Sequence, residues 1–107
     1  MARKPRKLNV KFSRDALDTL EEIWKWNART YNPEHAQSYT DFLESKANGL
    51  AVNYLAGKLV PTRPGIRYIT IKRKPSGHGH VAAYEVIDDK VYIINFYHTA
   101  QDWQSKL

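Results

Sequence analysis

Residues 80–102, HVAAYEVIDDKVYIINFYHTAQD, decide how this chain is read. Val81 to Ile87 and Val91 to Tyr97 are rich in β-branched and aromatic residues, which favour strands. Asp88-Asp89 between them is a turn signal, so the stretch reads as a hairpin of His80–Ile87 and Lys90–His98. His98 stands where the second strand runs out. A compact sheet ending in a histidine on a basic chain fits two classes of protein: a small nuclease, or a binder built on the same scaffold.

Working outward, Arg67, Ile69 and Ile71 alternate with Tyr68, Thr70 and Lys72 and predict a preceding strand, broken by Pro75-Ser76-Gly77-His78-Gly79. Three consecutive strands with short links make an antiparallel meander. Residues 58–65, with Pro61, Pro64 and Gly65, read as a loop. Upstream lie two helices. Ser13 is a suitable N-cap with Asp15 in the first turn, and Leu17, Leu20, Ile23, Trp24 and Ala28 form one apolar face. Asn32-Pro33 opens a second helix carrying Ala36, Tyr39, Phe42, Leu43, Ala47, Leu50, Ala51 and Tyr54, with Gly57 as its stop. The short link predicts an antiparallel helical hairpin. Leu8, Val10 and Phe12 alternate as a first strand of unspecified partner. Residues 1–7 read as a basic, flexible tail, with a single domain over 8–107. Trp103 and Leu107 are candidate anchors near the end. The expected class is α+β in the order β-α-α-β-β-β, an antiparallel sheet packed against a helical hairpin.

The chain has 107 residues, no cysteine and a net charge of +6. Disulfides and cysteine-based zinc sites are excluded. No apolar run approaches the ~20 residues of a membrane helix, and the basic N-terminus lacks a following apolar stretch, so a cytoplasmic protein is expected. Charge is segregated: residues 1–14 and 58–74 each carry six cations and no acid, whereas seven of the eleven acids lie between Asp15 and Glu44. A basic face of this kind suits nucleic acid or an acidic protein segment, and equally a merely solvated surface.

His78, His80 and His98 fall in the sheet half, but no carboxylate or cysteine stands beside them at a ligand spacing, so a polar turn is preferred to a metal site. No cofactor motif is present. His35 is expected to face solvent, and Tyr84 to pack. For RNA cleavage, His98 would supply the acid or base, and Arg67, Lys72 and Arg73 the phosphate contacts. Trp24, Trp26, Tyr31, Tyr39, Phe42 and Tyr54 invite a stacking reading, though most fit core stripes. Trp26 is off the stripe, which fits either an exposed residue, as at a protein interface, or one packed against the first strand.

Five segments, in order, resemble the ParE toxins of the RelE/ParE type II toxin–antitoxin superfamily. Ala16 to Tyr31, ALDTLEEIWKWNARTY, is similar to their A-x-x-D-L-x-x-I-W first helix. Asn32-Pro33-Glu34-His35-Ala36 with Tyr39 is similar to the start of their second. Pro64-Gly65-Ile66-Arg67-Tyr68 resembles P-G-L-R, His80–Val86 resembles H-V-I-F-Y-R-V, and Phe96-Tyr97-His98 with Asp102 resembles V-L-H-x-x-x-D. The resemblance implies a cytoplasmic toxin in growth inhibition or plasmid maintenance, neutralised by a cognate ParD-like antitoxin that alone contacts operator DNA. ParE-like members inhibit DNA gyrase; RelE-like members cleave mRNA on the ribosome. Nuclease branches commonly carry Arg where Val81 stands and Tyr or Lys where Thr99 stands. The expected function is therefore gyrase inhibition without hydrolytic chemistry. Trp24, Trp26, Tyr31, Tyr39 and Phe42 are expected to meet the antitoxin, and Arg67, Lys72, Arg73, His98 and Trp103 the target. If the chain is a nuclease, His98, Arg67 and Arg73 are its catalytic set. A third class is a non-toxic binder serving only operon regulation.

Overall fold

The computed structural model describes residues 6–107. Most of the predicted tail thus lies outside the described residues. Strand β1 (Asn9–Phe12) leads into helices α1 (Arg14–Thr30) and α2 (Pro33–Asn48), followed by a 3₁₀ turn at Gly49–Ala51. Strands β2 (Lys58–Leu59), β3 (Ile66–Ile71), β4 (His80–Ile87) and β5 (Lys90–His98) follow, and a second 3₁₀ turn spans Trp103–Lys106.

The α+β class, the helical hairpin and the meander agree with the sequence reading. Two details of the sheet differ. The loop expected at 58–65 contributes the short strand β2, and β1 pairs with β5 in parallel, giving the order β1-β5-β4-β3-β2 and a mixed sheet. A two-residue strand beside prolines has no alternation to betray it. The direction of β1 follows from the helices, which return the chain to the end of the sheet where β3 begins.

Ser13 starts α1 as expected: its Oγ accepts from Ala16 N at 2.9 Å. The same hydroxyl donates to Ile94 O at 2.5 Å, and Ser13 N–H donates to Ile93 O. Ile94 is the extra residue of a bulge opposite Ala83 and Tyr84. The helix start therefore satisfies carbonyls at an irregular point of β5. We expect Ser13→Ala to lower stability by about 1–2 kcal/mol in urea unfolding, combining a lost cap with an orphaned carbonyl.

The buried line of α1 is Ala16, Leu20 and Asn27, with Ile23 half-buried, while Leu17 is exposed. The stripe thus sits slightly off the sequence reading. Asn27 is tolerated inside because its Nδ2 donates to Ile23 O at 2.8 Å. Asn32 caps α2 by accepting from His35 N at 2.7 Å, with Pro33 at the first helical position. α2 stops at Asn48, short of the expected Tyr54; Leu50 and Ala51 stay buried in the tighter 3₁₀ turn that follows.

Both sheet faces are covered. The helices pack on Ala82, Tyr84, Val91, Ile93 and Phe96. The opposite face holds Val60, Val81, Ala83 and Tyr97, sealed by Trp103 with Leu107 beside it. Trp103 meets Tyr68 edge-on at 4.8 Å and Tyr97 at 6.0 Å. Among the described residues, no helix is long and apolar enough to cross a membrane.

Candidate functional site

Register and turns bring the histidines together. His80 opens β4 and pairs directly with His98 at the end of β5, so their rings meet edge-on at 5.3 Å. His78, just before β4, lies 5.4 Å from the His98 ring. Gly79 between them is clamped to Thr99: its N–H donates to Thr99 Oγ1 at 3.0 Å, and Thr99 N–H donates back to Gly79 O at 3.0 Å. A Cβ on Gly79 would strike the Ile71 carbonyl, so glycine is required for this close approach. Among the described residues, no group of three or more His, Cys, Asp or Glu is arranged to hold a metal ion.

His98 is oriented by its own chain. Its Nδ1 accepts from Ala100 N–H at 3.1 Å, which leaves Nε2 for outside contacts. His80 faces the helices. Its Nδ1 is 2.6 Å from Tyr39 Oη. Burial, and then the neighbouring His98, lower its pKa to about 4, so it is neutral at physiological pH. Burial raises the Tyr39 phenol, partly opposed by Arg73, so that hydroxyl keeps its proton. The Tyr39–His80 contact is therefore a neutral hydrogen bond joining α2 to β4.

Arg73 lies over α2. Its guanidinium is 5.5 Å from the Tyr39 ring centroid and 5.2 Å from that of Phe42, and one Nη donates to Ser38 Oγ at 2.6 Å. At the hairpin tip, Trp26 and Tyr31 meet edge-on at 6.2 Å, and the His35 ring is 4.4 Å from Tyr31. His35 is half-buried, not the solvent-facing residue expected. These groups border one open cleft of about 990 Å³ between the hairpin and the sheet end. Its fixed cations are Lys25, Arg29, Arg73 and Lys74, and its one carboxylate is Glu22.

The cleft cuts across the two sets of residues proposed from sequence. Trp26, Tyr31 and Tyr39 from the first set share it with Arg73 and His98 from the second. The others lie elsewhere. Trp24 borders a smaller hollow on the hairpin and donates from Nε1 to Gln37 Oε1 at 3.2 Å. Phe42 sits beneath Arg73 and Lys46. Lys72 is exposed, and Trp103 is buried behind the sheet. Arg67 donates to the carbonyls of Gly57 (2.8 Å) and Leu55 (3.3 Å) at the far end of β3. Arg67 opposes Tyr84 whereas Ile71 opposes His80, so Arg67 and the histidines are roughly 13 Å apart along the strand. His98, Arg67 and Arg73 do not converge. Lys74, counted in the basic 58–74 stretch but not among the site residues, and Arg29, not singled out, join the cleft through the β3–β4 loop and the last turn of α1.

The fold is a small α+β scaffold with a basic cleft at one end of its sheet. Two solved structures share it. The chromosomal ParDE toxin–antitoxin system from P. aeruginosa matches with a TM-score of 0.72 at 22% identity, covering 85% of this chain and 95% of that one. The E. coli toxin RelE in the free state, as a double arginine-to-alanine mutant, matches with a TM-score of 0.64 at 16% identity, covering 94% and 92%. No curated protein sequence matches. The family model for the ParE toxin of the type II toxin–antitoxin system parDE matches residues 10–103. The chain belongs to the ParE toxin family.

Proposed function

We propose that this toxin inhibits DNA gyrase and blocks replication in the cytoplasm, without hydrolytic chemistry, and that a cognate ParD-like antitoxin neutralises it by covering the hairpin and its cleft. Operator DNA is reached only through the antitoxin. Membership of the ParE family supports the reading, and one structural observation carries the choice against cleavage. The positions at which a nuclease of this superfamily would want functional side chains are occupied by structural ones. Val81 is 3% exposed and packs on the sheet face away from the cleft. Thr99 holds Gly79 in place. Arg67 is committed to two backbone carbonyls.

The test is a gyrase supercoiling assay beside a translation reaction programmed with a defined mRNA. Loss of supercoiling with intact mRNA is expected; codon-phased cuts with unaffected gyrase would overturn the proposal. His98→Ala sharpens it. Removing a general acid or base costs about 10²–10⁴ in rate, whereas loss of one peripheral contact should reduce inhibition by no more than roughly threefold.

A further inference from the structure

The cleft brings together two kinds of surface, one aromatic and one cationic. Trp26 and Tyr31 are 54% and 58% exposed, and the His35 ring lies tilted at 4.4 Å from Tyr31. Arg73 and Lys74 supply fixed cations to the same cleft, and the outward Nε2 edge of His98 also lines it. Exposed flat rings facing fixed cations are the pairing that recognises a heterocyclic base joined to phosphate. Arg73 is already held by Ser38 and by two rings, so little side-chain freedom remains to be lost on binding an anion. About 990 Å³ is at the upper end of the range for small-molecule sites. Among the described residues, Arg67 and Arg63 do not extend these cations into a track along the sheet. Arg67 is bonded to the Gly57 and Leu55 carbonyls, and Arg63 to the Leu107 carbonyl. A strand of nucleic acid needs such a track; a single nucleotide does not.

We infer that this cleft binds a free nucleoside diphosphate or triphosphate, with the base against Trp26 and Tyr31 and the phosphates against Arg73, Lys74 and His98. The inference stands independently of the gyrase reading. It adds a small-molecule ligand that would compete with any protein segment seated in the cleft.

The experiment is calorimetric titration of the full chain with ADP, and separately with adenosine and inorganic pyrophosphate. ADP should bind with a Kd on the order of 100 μM. Each half-ligand should be weaker by roughly tenfold or more, because only ADP reaches both surfaces. Trp26→Ala should weaken ADP and adenosine by about tenfold and leave pyrophosphate unchanged, while Arg73→Gln should do the converse, sparing adenosine. Arg73→Lys, which keeps the charge and loses the fork, is the fallback should the Gln variant fail to fold. Three results would overturn the inference. They are no saturable heat with ADP, pyrophosphate binding as tightly as ADP, or a single-stranded oligonucleotide binding more than about tenfold tighter than ADP. No gyrase is present in the assay, so its outcome is separate from that of the supercoiling test.

Discussion

Tyr84→Phe is expected to lower the folding stability by about 2–3 kcal/mol, read as a shift of the urea midpoint at unchanged slope. Tyr84 has no exposed surface. Its hydroxyl donates to Tyr54 O at 2.9 Å and accepts from Gly57 N–H at 2.9 Å. One oxygen thus satisfies two backbone groups of the irregular segment that leads into β2. Removing it leaves an orphaned donor and an orphaned acceptor, and an unmade buried hydrogen bond costs more than a made one contributes. Gly57→Ala attacks the same contact from the other side. A Cβ there would lie 2.7 and 2.8 Å from ring carbons of Tyr84, a side chain with no room to withdraw. Its cost should be about 3 kcal/mol or more. Since each change spoils the same contact, the double variant should lose less than the sum of the two. Strict additivity would show that Tyr84 and Gly57 do not act together.

Stability should also fall as the pH drops from about 6.5 towards 4. His80 is held at about 4 in the folded chain, against an ordinary histidine value of 6.5. Above 6.5 neither state carries the proton, and this residue contributes no pH dependence. Below it the unfolded chain takes up a proton that the folded chain refuses, so unfolding is favoured until the folded form also protonates near 4. The full loss is on the order of 3 kcal/mol. His80→Gln should flatten the profile across this window, whatever its effect on stability at neutral pH. A mutant profile with the same slope as the parent would remove His80 as its source. His98 is part of the cause, so His98→Ala should reduce the slope only modestly, burial being the larger contribution.

Much of this architecture was legible where short-range chemistry decides it. Asn32-Pro33 and Ser13 act as the caps their side chains suggest. Asp88 turns the last hairpin with φ at 55°, a conformation that Asp tolerates better than most residues. Trp103 is the anchor expected near the end, and with 8% of its surface exposed it has little left to present to a target. What could not be read was set by distant partners. Alternation marked β1 as a strand without saying that its neighbour would be β5, or in which direction. Arg67 resembled a phosphate ligand because a cation on a strand looks the same whether it meets solvent or two carbonyls. The cleft was obscured for a related reason. Trp26 and Tyr31 are separated from His98 by most of the chain, and only the return of the sheet brings them to one hollow.

The place of β5 between β1 and β4 has a consequence for the newborn chain. Asn9 pairs with Lys90, and Ser13 binds Ile94 across 81 residues. Strand β1 and the start of α1 therefore wait for residues some eighty positions further on before they can settle. Long-range closures of this kind are slow, and an incomplete nascent segment cannot assemble the sheet. Until β5 has been made, the sheet lacks its central strand and the chain its finished shape. Any segment cut short before β5 leaves β1 without its neighbour and the start of α1 without the carbonyls that hold it.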